Sequence, residues 1–348
     1  MQRIVKQVAA IDVDQKLLVT TLGRMYDDWS PELYAQKTFA NTPKGFEDLL
    51  AWVKKNMVKG VDVRFLMEAT GVYHEGIAYF LDDRAEGVTI VVPNKISNYM
   101  RTLETKTITD KTASEAIARF GLERKLELWK RPKDIYKKLR QLSRERDQVV
   151  MERTMVKNQL HADLAEAEPN KSSIIRAKAR IKMLDKQEQE IKAELTVLAS
   201  SNDEIKQIIT LLCSISGVGM LTAATVLGET NGFELIRNRR QLASYAGFDV
   251  KEKQSGTSVK GKARISKKGN KYLRKAMHLP ALAAIRHDER FKAVFVTIVS
   301  KHGIKMKAAV AVQRKLLEMM FTLYKTNTKY DKQYLINKVA KPEEVTGV

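Results

Sequence analysis

Apolar residues recur at nearly every second position from Val5 to Asp12 (VKQVAAID) and from Lys16 to Leu22 (KLLVTTL), which predicts two paired strands. Thr42 and Pro43 then offer a cap and a first turn, and Phe46, Leu49, Leu50 and Val53 follow at helical spacing, so a helix is expected from Thr42 to Lys55. Two short apolar runs, Val63 to Met67 and Val88 to Val92, predict further strands, and helical spacing returns from Asp110 to Phe120. This alternation is the pattern of an α/β domain.

Beyond it the period changes. Ile135, Leu139, Leu142, Val149, Val156 and Leu160 step by threes and fours, with Arg146 and Arg153 in two seam positions. After Pro169-Asn170 the same stepping runs through Ala177, Ile181, Leu184, Ile191, Leu195 and Leu198, with Glu188 in the seam. A helical hairpin or coiled-coil arm is expected. It is either a spacer with a solvated charged face or an oligomerisation arm, and dimerisation is favoured because seams this long would otherwise expose apolar residues. From Leu211 to Tyr324 the chain reads as compact and mostly helical, broken by two glycine-rich turns, and the tail after Lys325 is polar. The expected domains are residues 1–128, 129–207 and 208–326, with a polar tail at 327–348.

Composition narrows the function. Of 348 residues, 44% are hydrophobic and 30% charged, which excludes a disordered or low-complexity chain. Sixty-two Lys and Arg against 41 Asp and Glu leave a net charge of +21, a balance that suits a polyanionic partner, most commonly nucleic acid. The lone Cys213 excludes an intramolecular disulfide and a multi-cysteine zinc site, and the five scattered histidines lack metal-ligand spacing. No apolar stretch approaches the length of a membrane span, and the opening residues meet Asp12 too early for a secretory signal. A cytoplasmic chain without a membrane partner is expected.

Asp12 and Glu68 each close a predicted strand. A charged residue there costs desolvation unless compensated, and a divalent cation between two converging carboxylates compensates well. Asp110, opening a predicted helix, is a third candidate for the same point, although a carboxylate there also serves as an N-cap or first-turn residue. The three together resemble the acidic cluster of the RNase H-like, RuvC-like nuclease fold, in which carboxylates on two strands and a helix hold Mg²⁺ for phosphodiester chemistry. Ala10-Ile11-Asp12-Val13, Glu68-Ala69-Thr70-Gly71-Val72-Tyr73 and Thr109-Asp110-Lys111-Thr112 resemble the successive motifs of the insertion-sequence-110 family of transposases. That family's pattern is D, E, D, D, with the last two acids three residues apart on one helix face. Here the fourth position is Ala113, and Glu115, about 140° around the helix from Asp110, is no substitute.

In the C-terminal half, Ile215-Ser216-Gly217-Val218-Gly219 before an apolar helix is similar to a helix-hairpin-helix element, whose glycines let backbone amides reach a phosphate; an ordinary tight turn is the alternative. The segment from Lys251 to Lys275 holds ten cations (Lys251, Lys253, Lys260, Lys262, Arg264, Lys267, Lys268, Lys271, Arg274 and Lys275) against one acid, Glu252. A basic loop leading into a basic helix is suited to gripping a phosphate backbone. Within it stands Ser255-Gly256, which composition alone would read as a turn. The family resemblance gives it another meaning: in that family the corresponding serine is the nucleophile that joins DNA covalently, with Ser258 and Ser266 as the nearest competitors here.

The resemblance covers nearly the whole chain. It implies a RuvC-like domain, a helical coiled-coil arm and a mostly helical C-terminal transposase domain, acting as a DNA recombinase. Mg²⁺ would be held by Asp12, Glu68 and Asp110. Donor and target double-stranded DNA, a structured guide (bridge) RNA and a homo-oligomer, dimer or tetramer, are the implied partners, at the nucleoid. The acidic cluster alone is also compatible with a junction-resolving nuclease that uses water, and Ala113 with an inactive nucleic-acid-binding scaffold.

Overall fold

The computed structural model describes residues 3–69, 71–103, 107, 109–234, 236–251, 254–255, 259–260 and 264–333, with backbone alone at 254, 255, 259 and 260. They divide into two compact units, Met1–Arg131 and Pro132–Val348. Among the described residues no helix is long and apolar enough to cross a membrane.

The first unit is built on a five-stranded sheet. Strands β1 (Ile4–Val13), β2 (Leu17–Tyr26) and β3 (Pro31–Ala40) form an antiparallel meander, and β4 (Val63–Glu68) and β5 (Gly87–Val91) continue from β1 in parallel, giving the order β3-β2-β1-β4-β5. Helix α1 (Pro43–Asn56) starts where the sequence predicts: Thr42 Oγ1 accepts from the Gly45 amide and Pro43 occupies the first turn. Its Leu49 and Val53 are fully buried, each contributing roughly 1.5–3 kcal/mol by leaving water. Helices α2 (Glu75–Asp82), α3 (Pro93–Met100) and α4 (Asp110–Glu123) complete the unit.

The sheet has two apolar faces. Ala9, Ile11, Val13, Phe65 and Met67 pack with α1 and α2, whereas Val8, Ala10 and Leu66 pack with Ile96 of α3 and with Ile117, Ala118 and Leu122 of α4. A mixed sheet with a helix laid across one face is the RNase H-like architecture expected for this domain. The sequence reading omitted β3, α2 and α3. Most of β3 is exposed or half-buried, so it shows little period-two signal. Pro93, just past the expected strand Val88 to Val92, is the first residue of α3, a position where its missing amide hydrogen costs nothing.

In the second unit, α5 (Asp134–Leu164) and α6 (Lys171–Ser200) form the expected hairpin. The charged seam positions meet: Arg146 donates to Glu188 Oε1 at 2.7 Å, Lys192 at 3.0 Å, and Arg153 to Oε2. Burial alone would raise the Glu188 pKa, but the hydrogen bonds from Lys192, Arg146 and Arg153 hold it down at about 2. Helices α7 (Asp203–Cys213), α8 (Met220–Thr230) and α9 (Arg239–Ala246) follow. Four two-residue strands come next: β6 (Val250–Lys251), β7 (Gln254–Ser255), β8 (Val259–Lys260) and β9 (Arg264–Ile265). Then come α10 (Lys271–Ala276), α11 (His278–His287), α12 (Glu289–His302) and α13 (Lys305–Thr326). The hairpin shares one apolar cluster with these helices, from Tyr136 and Leu139 through Leu227 and Phe248 to Leu316 and Met320.

Candidate active site and nucleic-acid interface

The acidic site is set by strand register. Ile11 pairs with Met67 across the parallel β1–β4 ladder, so Asp12 and Glu68, one residue further on each strand, sit side by side at the carboxyl ends. Side chains alternate along a strand, which turns both carboxylates to the face shared by Ala10 and Leu66, the face covered by α4. Crevices outside the carboxyl ends of parallel strands are where open α/β sheets bind ligands.

Helix α4 runs antiparallel to β1. Lys6 Nζ donates to the carbonyls of Leu122 (3.0 Å) and Arg124 (2.6 Å) at its C-terminal end, and a Cβ on Gly121 would lie 2.7 Å from Leu66 Cδ2. In its first half, Ser114 Oγ meets Thr21 Oγ1 at 2.7 Å, and Thr21 is the register partner of Ala10. One turn earlier, Asp110 therefore stands level with Asp12. Thr109 is the N-cap, its Oγ1 accepting from Thr112 N while Thr112 Oγ1 accepts from Thr109 N. Asp110 is thus not needed as the cap and lies exposed in the first turn, where the helix dipole favours its charge.

The electrostatics agree with this placement. Burial first, and then the charges of Asp110 and Glu68, push the carboxyl of half-buried Asp12 up to about 6; burial also raises Glu68. Hard oxygen ligands under mutual repulsion are the donor set of a divalent cation. Among the described residues, however, no group of three His, Cys, Asp or Glu side chains is placed to hold a metal ion as it stands. Ala113, half-buried, lies about 60° around α4 from Asp110, so a carboxylate there would join the same edge of the site.

Sequence reasoning missed what fixes α4. Ser114 and Thr21 are both buried, and Gln36 Nε2 donates to Thr21 Oγ1 (2.8 Å), to Ser114 Oγ (3.1 Å) and to the Lys111 carbonyl (3.2 Å). Ser114 Oγ also donates to the Lys111 carbonyl at 2.8 Å. This network pins the turn that carries Asp110 to β2 and β3. A serine inside a helix otherwise reading as apolar on that face was the available signal.

In the second unit, the basic segment is a hairpin. Val250 pairs with Ile265 and Lys251 with Arg264, then Gln254 with Lys260 and Ser255 with Val259, so Ser255 sits on a strand near the turn. Lys253, Gly256, Ser258 and Lys262 lie outside the described residues. The hairpin base is tied by Ser266, whose amide donates to the Asp249 carbonyl (2.8 Å) and whose hydroxyl donates to Asp249 Oδ1 (2.6 Å). Lys251, Arg264, Lys267, Lys268 and Lys271 are exposed. Arg274 is turned inward to the Ala246 carbonyl at 2.8 Å, and Lys275 pairs with Asp147.

Beneath the hairpin lies an ion pair that sequence reading also missed. Glu229 of α8, 4% exposed, receives both ends of the Arg144 guanidinium (2.6 and 2.8 Å), and Asn270 Nδ2 donates to its Oε2 at 2.6 Å. Tyr245 OH donates to the Glu229 carbonyl, and the Asn270 amide donates to the Tyr245 carbonyl. Asn270 in turn caps α10. Arm, α8 and basic hairpin are thus joined at one buried carboxylate, beside a cleft of 660 Å³ lined by Arg144, Tyr272 and Lys275 among others. Of the two glycines expected at a phosphate, Gly217 has φ +89° and a Cβ there would lie 2.5 Å from the Pro280 carbonyl, so packing against α11 requires glycine. Gly219, the N-cap of α8, is exposed with open space around its Cα.

Comparison with known proteins places both halves in one context. Residues 26–169 match the model of the IS110-type DEDD transposase family, and residues 209–295 match that of the "Transposase IS116/IS110/IS902 family". The first match includes Glu68, Asp110 and Ala113. The chain is 28% identical over 301 residues to the pilin gene-inverting protein of Moraxella bovis, covering 85% of this chain and 90% of that one. It is 29% identical over 121 residues to an uncharacterized 43.6 kDa protein of insertion element IS110 from Streptomyces coelicolor, covering 35% and 30%. Among solved structures, Thermus thermophilus RuvC with a Holliday junction substrate is similar at 9% identity, covering 36% of this chain and 99% of RuvC, with a TM-score of 0.27.

Proposed function

The chain belongs to the IS110 family of transposases, and on that premise we propose that it cuts and rejoins DNA through a covalent link to Ser255. The observation that carries the reading is the convergence of Asp12, Glu68 and Asp110 at the carboxyl edge of an RNase H-like sheet, in a chain whose other half presents a serine on a cationic hairpin. The pilin gene-inverting relatives favour rejoining over hydrolysis, because inverting a gene requires every cut strand to be resealed.

In the proposed reaction the Ser255 hydroxyl gives up its proton to solvent water as its oxygen attacks a DNA phosphorus. The Oγ–P bond forms, and the bond to the leaving sugar oxygen breaks as that oxygen takes up a proton. The phosphoserine link conserves the bond energy, and a sugar hydroxyl of another strand displaces the serine in reverse. Exposed Lys251, Arg264, Lys267, Lys268 and Lys271 hold the strand by its phosphates. Asp12, Glu68 and Asp110 would hold Mg²⁺, which supplies charge neutralisation on the phosphate oxygens when bound. Exchange of two duplexes needs four strand cuts, so the acting species is a dimer or tetramer. A structured guide RNA, as the family implies, would share the cationic surface, and the work would be done at the nucleoid.

Ala113 favours a qualified version of this reading: the chain binds its nucleic acids but cuts weakly for want of a fourth carboxylate. The deciding experiment traps covalent protein–DNA adducts with Mg²⁺ for the chain as it stands, for Ala113→Asp, and for both with Ser255→Ala. Adducts that require Ser255 and rise with Ala113→Asp support the proposal. Adducts that survive Ser255→Ala exclude this serine.

A further inference from the structure

At the opposite end of β1 from the carboxylates, a cavity of 600 Å³ is lined by four cations, Arg3, Lys6, Arg64 and Lys125, and by one acid, Asp62. Its walls are built. Gln7, 1% exposed, clamps the loop after α1: its Nε2 donates to the carbonyls of Val58 and Val61, both at 2.9 Å, and its Oε1 accepts from the Val58 amide at 2.9 Å. Lys6 holds the other wall through the Leu122 and Arg124 carbonyls at the end of α4.

Arg64 forms part of the floor. It pairs across the ladder with Gly87, where a Cβ would lie 2.9 Å from its Nη1, so the absent side chain leaves room for the guanidinium. That Nη1 is buried and has no hydrogen-bond partner among the described residues. Among the same residues neither Arg3, Arg64 nor Lys125 is ion-paired with a carboxylate. Burial and the nearby Arg64 charge lower the Lys6 pKa, the sign of cations crowded without an anion. An anion entering the cavity would offset the crowded positive charge of Arg3, Lys6, Arg64 and Lys125.

We propose that this cavity is a phosphate-binding site, occupied by a backbone phosphate of the bound nucleic acid at a point remote from the chemistry. Arg64 lies in its floor, Lys6 in the wall tied to α4, and Arg3 and Lys125 at its solvent-facing rim. Six residues of strand separate Lys6 from Asp12, roughly 20 Å at about 3.3 Å per residue, so the phosphate held here is not the one being cut. The site rests on the reading that this transposase handles DNA, but not on Ser255 or on a metal.

The test uses the full chain in EDTA, with no cleavage possible. Duplex DNA affinity is measured across a salt series for wild type, Lys125→Glu and Arg64→Met, and inorganic phosphate is titrated while the amide resonances of Gly60, Asp62 and Lys125 are followed. Lys125 is exposed, so its variant tests the site even where Arg64→Met lowers stability. The expected result is phosphate-dependent shifts at those amides, and DNA affinity reduced roughly threefold to tenfold in each variant with the salt slope smaller by about 1. Phosphate shifts with unchanged DNA affinity would retain a phosphate site but assign it to a free phosphate or nucleotide. No phosphate response together with wild-type DNA affinity in both variants overturns the proposal. Ser255-dependent adducts alongside that outcome would show that only this site, and not the recombinase reading, has failed.

Discussion

Asp12→Asn should stabilise the metal-free protein at neutral pH. The Asp12 carboxyl is raised from 3.8 to about 6 by burial and by the charges of Asp110 and Glu68. A folded-state pKa above the unfolded one means that the native state holds the proton to higher pH. Its contribution is therefore neutral below about pH 4, and stability falls as pH rises through 6. At about 1.4 kcal/mol per pKa unit the ceiling is ~3 kcal/mol; Asp12 is half-buried, and solvent screening reduces this to ~1–2 kcal/mol. Asparagine keeps an oxygen to accept the Val13 amide hydrogen bond, so the substitution removes the charge and little else. All three tryptophans, Trp29, Trp52 and Trp129, lie in the first unit, so tryptophan fluorescence during denaturant unfolding reports that unit alone. The gain should be present at pH 7.5 in EDTA, shrink towards zero near pH 4, and diminish when millimolar Mg²⁺ is added, because the cation relieves the repulsion in wild type only. A variant that is less stable at pH 7.5, or whose difference does not depend on pH, would refute the carboxylate cluster.

Ser114→Ala should cost the first unit ~1–3 kcal/mol, since buried Thr21 and Gln36 lose a partner, and the same fluorescence measurement checks it. Glu229→Gln should cost ~1–3 kcal/mol in the second unit, because Arg144 loses its carboxylate partner but is itself 40% exposed and partly rehydrated; thermal unfolding followed by circular dichroism reads this, and an unchanged transition would show that the network does not stabilise the fold. Ala113→Asp should leave DNA affinity in EDTA within about twofold while increasing Mg²⁺-dependent adducts, because affinity resides in cations elsewhere. A destabilised and equally inactive variant would make Ala113 an ordinary packing residue.

Local pattern was enough to place α1 behind Thr42-Pro43, to locate β1, β2, β4 and β5 within a residue or two at most ends, and to draw the α5–α6 seam down to its charged positions. It also identified the strand-ending and helix-opening carboxylates, because an acid at the close of an apolar run is conspicuous in the chain itself. Their convergence was a matter of register: only the parallel pairing of Ile11 with Met67, and the antiparallel run of α4 pinned by Thr21, Gln36 and Ser114, set Asp12, Glu68 and Asp110 at one edge. Glu229 and Arg144, 85 residues apart, and the four cations of the remote cavity carry no mark in the sequence that distinguishes them from other charges on a basic chain. Helix and strand preferences are decided by neighbours within a few residues. Burial and charge pairing are decided by which distant backbones lie a few ångströms apart, and folding alone fixes that.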